Sequence, residues 1–216
     1  MGKQVGQIQV SGKFGALVGS KGRNGRAYLR AKSDKPLKPA TTSQQKVQTR
    51  FKAIGELATD ARNALKLGLK NKAKQLKCSV YNAFTKLNWD NVRCNMPGVT
   101  TVNYPELILA VGNVPNVRFG SPNFDEPLSI TVTFQGNADM IDADATDKVY
   151  MYAYCPDTGE GILTDSVSRS ASTITMNVPI NWNGMKVHVW GFVIGGENGL
   201  TDEPSDSVYI GTGNIG

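Results

Sequence analysis

The sequence predicts an α+β protein: a glycine-rich N-terminal arm and a helical hairpin, followed by an immunoglobulin-like antiparallel β-sandwich. Three observations carry this expectation. Apolar residues recur at steps of three and four between residues 42 and 87, and at steps of two beyond about residue 104. Glycines punctuate the first thirty-one residues at Gly6, Gly12, Gly15, Gly19, Gly22 and Gly25. Charge is divided as sharply as pattern. Residues 1–100 carry 20 Lys/Arg against 4 Asp/Glu, a net +16, whereas residues 101–216 carry 4 against 14, a net −10. The division expected from these signals is 1–41, a basic arm and linker; 42–100, a basic helical region; and 101–216, an acidic sandwich.

In the arm, Ile8 and Val10, then Phe14, Leu17 and Val18, are separated by glycines. This reads as short strands, with the segment Gly19-Ser20-Lys21-Gly22-Arg23-Asn24-Gly25-Arg26 turning between them. A two-stranded hairpin buries little by itself, so the arm is expected to order against another element or another subunit. Residues 32–41, with Pro36 and Pro39, read as a polar linker.

Thr42-Ser43-Gln44-Gln45 fits a capping box, with Thr42 as N-cap. Val47, Phe51, Ile54, Ala58, Ala61, Leu65 and Leu69 follow on one helical face. A second run holds Leu69, Ala73, Leu76, Val80, Phe84 and Leu87. Two helices are expected, near 43–66 and 69–87, with Gly55 and Gly68 as points of division.

Beyond residue 104 seven strands are expected, at 106–111, 128–134, 148–155, 161–164, 173–178, 186–194 and 207–210. Pro156-Asp157-Thr158-Gly159, Asn183-Gly184 and Glu197-Asn198-Gly199 mark turns between them. Seven short strands over roughly 110 residues suit an immunoglobulin-like sandwich.

Composition excludes several classes of function. No run of about 18 apolar residues is present to cross a membrane as a helix, and the first residues lack the apolar stretch of a secretory signal. Synthesis in a cytoplasm is therefore expected. Cys78, Cys94 and Cys155 are odd in number and widely spaced, which suits reduced thiols. Asp157-Thr158-Gly159 matches an aspartic-protease triplet, but that chemistry needs two carboxylates sharing a proton, and a hairpin turn is the plainer reading. Asp139, Asp142, Asp144 and Asp147 make an acidic loop without the glycine and distal glutamate of a calcium-binding loop. The glycines near Lys13 and Lys21 lack phosphate-loop spacing. His188 is the single histidine, and is expected to pack beside Trp190 and Phe192. No catalytic residue, cofactor or metal site is expected.

The basic residues carry the functional signal. Lys13, Lys21, Arg23, Arg26 and Arg30 in the arm, with Lys66, Lys70, Lys72, Lys74 and Lys77 in the helices, are the candidate contacts to a partner or to phosphate. Aromatic residues are sparse among them, so stacking on single strands is poorly supported.

A set of short segments is shared along nearly the whole chain with one family. They are Val10-Ser11-Gly12-Lys13-Phe14-Gly15 with Val18-Gly19, Lys21-Gly22-Arg23, Tyr28-Leu29-Arg30, residues 42–51, and Tyr81-Asn82-Ala83-Phe84. The latter half adds Asn103-Tyr104-Pro105 leading to 107–112, residues 149–154 with Thr158-Gly159-Glu160-Gly161, residues 187–193, and Ser205-Asp206-Ser207-Val208-Tyr209-Ile210-Gly211. In these the chain resembles an uncharacterised protein family encoded in phages and prophages of Bacteroidetes bacteria. The resemblance implies a setting but no site residues: a virion component, made in the host cytoplasm. The expected function is thus a non-enzymatic phage structural protein, in capsid decoration, neck or tail. Its partners would be other virion proteins and copies of itself, with no membrane and no small-molecule substrate. The alternative is a nucleic-acid-binding phage protein acting through the basic half.

Overall fold

In the computed structural model residues 12–21, 27–32, 39–196 and 202–216 are described. They form two units, 1–41 and 42–216.

The first unit is a three-stranded antiparallel meander of β1 (Gly12–Phe14), β2 (Leu17–Lys21) and β3 (Ala27–Ala31). Gly15 turns the first hairpin at φ +55°, a backbone region that a side chain disfavours. The strands thus follow the alternation seen in the sequence. Ile8, Val10, the turn at 22–26 and most of the linker lie outside the described residues.

The second unit opens with α1 (Thr42–Asp60), α2 (Arg62–Gly68), α3 (Lys70–Gln75) and α4 (Val80–Leu87). The expected pair of helices is corrected in three ways. Helix α1 begins at Thr42 itself and ends at Asp60 rather than 66. Gly55 leaves α1 unbroken, and the division falls at Ala61. The second run breaks at 76–79, where Lys77 takes a left-handed conformation at φ +52°. The amide of Cys78 then donates back to the Ala73 carbonyl, a Schellman-type ending. Ser79 restarts the chain as N-cap of α4, its side chain accepting from the Asn82 amide. Periodicity alone runs through this break, because the apolar face resumes in phase.

The hairpin β4 (Val92–Met96) and β5 (Val99–Val102) follows. The sandwich comprises β6 (Arg118–Asn123), β7 (Ser129–Gln135), β8 (Lys148–Cys155), β9 (Glu160–Leu163), β10 (Val167–Ser168), β11 (Thr173–Asn177), β12 (Lys186–Ile194) and β13 (Val208–Asn214). One sheet has the order β11-β7-β6; the other has β10-β8-β12-β13, with β9 also paired to β8. Three strands facing four or five, all antiparallel, with chain crossings between sheets at β7–β8, β10–β11 and β11–β12, is the immunoglobulin-like sandwich expected. Strands β8 and β12 match their predicted bounds.

The stretch 106–111 is not a strand. It is extended chain after a 3₁₀ turn at Tyr104–Glu106, and its backbone is held mainly by side chains. The Ile108 amide donates to Asn88 Oδ1 at 2.8 Å, and Asn88 Nδ2 donates to the Ile108 carbonyl at 2.9 Å. Ser207 Oγ accepts from the Leu109 amide, and the Gly68 carbonyl from that of Val111. Gly68 is required there, since a Cβ would lie 2.5 Å from the Leu109 carbonyl oxygen.

Two cores share the sheet of β8 and β12. Between the sheets lie Ile130, Val132, Ile174, Val149, Met151, Val187, Val189 and Val193. On the opposite face, Tyr152, Tyr154, Trp190 and Phe192 pack against Ile54, Leu57, Ala58, Leu65 and Phe84 of the helices. Burying each such large side chain contributes roughly 1.5–3 kcal/mol. The expected boundary at residue 100 is therefore not found: the helical region is a third layer of the same unit, and the β4–β5 hairpin spans the proposed cut.

Candidate functional site

The meander sets Lys13, Val18 and Arg30 in register across its three strands. Residues directly opposite share a face, so both cations flank Val18. Tyr28 lies two positions from Arg30 on that face, and 44% of its surface is exposed. Leu17, on the other face, is 45% exposed. Lys21 ends β2, and Arg23 and Arg26 lie outside the described residues.

In the helical layer, Arg62, Lys66, Lys70 and Lys74 are spaced by four. The amides of Leu69 and Ala73 donate to the carbonyls of Leu65 and Leu69, which carries the helical hydrogen-bond pattern through the junction of α2 and α3. These four side chains are exposed and form one ridge. Lys70 meets Asp202 at 3.6 Å, and Asn71 donates to the Asp202 carbonyl and to the Glu203 carboxylate. Lys72 is half-buried and donates to Gln75. Lys77 is set apart by its left-handed turn. The structure thus brings Lys66, Lys70 and Lys74 together and leaves Lys72 and Lys77 off the ridge.

A feature not anticipated from sequence is an open cleft of about 680 Å³ beside α1. Glu56, Thr59 and Asp60 of α1 line it together with Tyr154 and with Pro156 and Gly159 of the β8–β9 turn. Tyr81 of α4 closes one side, its hydroxyl donating to the Gly55 carbonyl and pairing with Thr59 Oγ1 at 3.0 Å. Burial first, then the charges of Glu56 and Glu160, raises the pKa of the Asp60 carboxyl. Lys52 reaches Glu56 at 3.8 Å as an exposed pair; no cation pairs with Asp60 among the described residues. Beyond Tyr81 a second groove of about 610 Å³ continues along Phe51 and Trp89. Arg50 pins that end, its guanidinium 3.9 Å from the Trp89 ring centroid and its Nη2 donating to the Trp89 carbonyl and to Asp90.

Asp147 of the acidic loop and His188 are structural in their contacts. Arg169 and Asp147 form an ion pair at 2.9 Å, fully and almost fully buried. Arg169 also donates to the carbonyls of Gly136 and Pro115, while Asp147 accepts from the Gly196 amide. The pair thereby ties four loops at one end of the sandwich. His188 stacks on Tyr104 at 4.1 Å and shares a 2.8 Å hydrogen bond with Tyr209. Burial, then Lys186, lowers its pKa to about 4. Asp157-Thr158-Gly159 is the β8–β9 turn, Gly159 at φ +71°. No cluster of three metal-ligating side chains occurs among the described residues.

A family model matches residues 9–211, spanning the arm, the helical layer and the sandwich together. The chain belongs to DUF6266, a family of unknown function. No curated protein matches this DUF6266 chain. Its sandwich is similar to the solution structure of the fibronectin type III domain of human collagen alpha-1(XX) chain, at 12% identity, over 49% of this chain and 84% of that one, with a TM-score of 0.33. The architecture of the DUF6266 sandwich rests on its own strand order rather than on that likeness.

Proposed function

We propose that this DUF6266 protein is a non-enzymatic structural component of a phage virion, in capsid decoration, neck or tail, assembling through its basic arm and helical layer. One observation carries the reading. Among the arm residues whose burial is described only Gly19 is buried, while Leu17 and Tyr28 are both over two-fifths exposed. A three-stranded sheet this small is marginal by itself, so burying these residues on a partner would stabilise the arm. The division of charge and the resemblance to a phage-encoded family support the same reading. Mass spectrometry of purified particles tests it: a fixed copy number is expected, and absence from particles overturns the proposal.

The ridge of Arg62, Lys66, Lys70 and Lys74 favours a second reading, contact with nucleic acid. Duplex binding would then weaken with salt, log K falling by roughly 0.9 per phosphate contact for each unit of log salt. No binding at low salt removes it.

A further inference from the structure

We propose that the cleft between α1 and the β8–β9 turn receives the exposed face of β3, with Tyr28 and Arg30, from a second copy of this chain. The inference deepens the assembly reading and names the partner of one surface.

Three features point to a cationic occupant. Tyr154 lines the cleft at 8% exposure, and its hydroxyl has no hydrogen-bond partner among the described residues. From the cleft an incoming polar group can reach that side chain. Burial first, then Tyr104 and the carboxylate of Asp60, pushes the Tyr154 pKa upward. Asp60, meanwhile, is held among acids without a cation of its own. Lys52 satisfies only the Glu56 end, from an exposed position.

The adjoining groove supplies the rest of the fit. The two hollows share Tyr81 and run from an acidic end at Asp60 to an aromatic end at Phe51, itself 54% exposed. Strand β3 presents the complementary pair, an aromatic ring and a guanidinium two residues apart on one face, about 7 Å along the strand. Charge selects the same segment: residues 1–41 hold 9 Lys/Arg against 1 Asp/Glu. An arm on one copy and a cleft on the next make a heterologous contact, which propagates into a ring or a filament.

Sedimentation velocity of the full chain, across concentration and salt, tests the contact. The mass should rise with concentration and fall back toward monomer as salt screens the pairing. Asp60→Asn should weaken association at least tenfold while raising the thermal midpoint, because it removes a carboxylate that its surroundings repel. A merely structural Asp60 would not separate these two effects. Arg30→Ser should weaken association similarly. A mixture of the two variants retains one intact contact, the arm of Asp60→Asn on the cleft of Arg30→Ser, and should stop at a one-to-one dimer. A wild-type chain monomeric throughout, variants that associate like wild type, or a mixture without dimer overturns the proposal. Particle composition separates the two readings. A chain present in particles but monomeric alone sinks only this contact; one that self-associates through the cleft but is absent from particles sinks only the virion reading.

Discussion

The two faces of the sheet built on β8 and β12 are made of different material. The inner face is aliphatic, with Val149 opposite Val193, Ala153 opposite Val189, and Met151 and Val187 on the same face. The outer face is aromatic, with Tyr150, Tyr152 and Tyr154 opposite His188, Trp190 and Phe192. Aliphatic side chains interdigitate with a second sheet and leave no polar atom to satisfy. Aromatic side chains with polar tips meet irregular helices instead, and their tips must find partners at the margins. His188 does so through Tyr209. Trp190 Nε1 does not; it is buried without a partner. The inner interface is the more completely satisfied of the two, and the outer one holds the histidine, the phenols and the cleft.

The largest effect is expected from the end of the inner core. Arg169→Ala leaves Asp147 charged and buried, and should cost about 4 kcal/mol; chemical denaturation should show it as a large fall in midpoint. On the outer face, Trp190→Ala should cost about 3 kcal/mol. Helical and sheet signals should still melt together, because both layers share the strand. Separate transitions would break the view that the helices belong to the sandwich.

The pH dependence belongs to the outer face as well. His188 is folded in its neutral form with a pKa of about 4, against an ordinary 6.5. The unfolded chain therefore binds the proton first, and the stability present above pH 6.5 is lost as pH falls through about 4. The loss should total about 2–3 kcal/mol. As the single histidine, it is read directly by its ring resonance in an NMR titration, and a midpoint near 6.5 would refute the burial argument. The smallest expected effect is that of Ser79→Ala, which removes the N-cap of α4 and should cost about 1 kcal/mol in thermal denaturation.

What was legible in the sequence follows from the range of the interactions concerned. Strands β8 and β12 stand out because a strand buried on both faces is apolar nearly throughout. The same runs carry the signal of a cover on the outer face. Local features with weak patterning went unread: the β4–β5 hairpin turning at Gly98, and β6, whose Gly120 and Pro122 obscure a strand. The stretch 106–111 imitates a strand because Leu107 and Leu109 are buried two apart, yet side chains such as Asn88 supply what a ladder would. The basic residues of the candidate site were visible as composition. The acidic cleft was not, because Asp60 and Glu160 come together only when α1 packs beside the β8–β9 turn.

The layered sheet also has a consequence in time. Synthesis is vectorial, and α4 ends at Leu87 whereas β12, which supplies half of its docking surface, ends at Ile194. At typical ribosomal rates the intervening stretch takes on the order of ten seconds to appear. During that interval Ile54, Leu65 and Phe84 have no sheet to face, on a nascent segment that is strongly cationic and sits beside ribosomal RNA. A segment of that charge would be drawn toward the anionic ribosome surface, so salt during synthesis should affect the yield of folded protein.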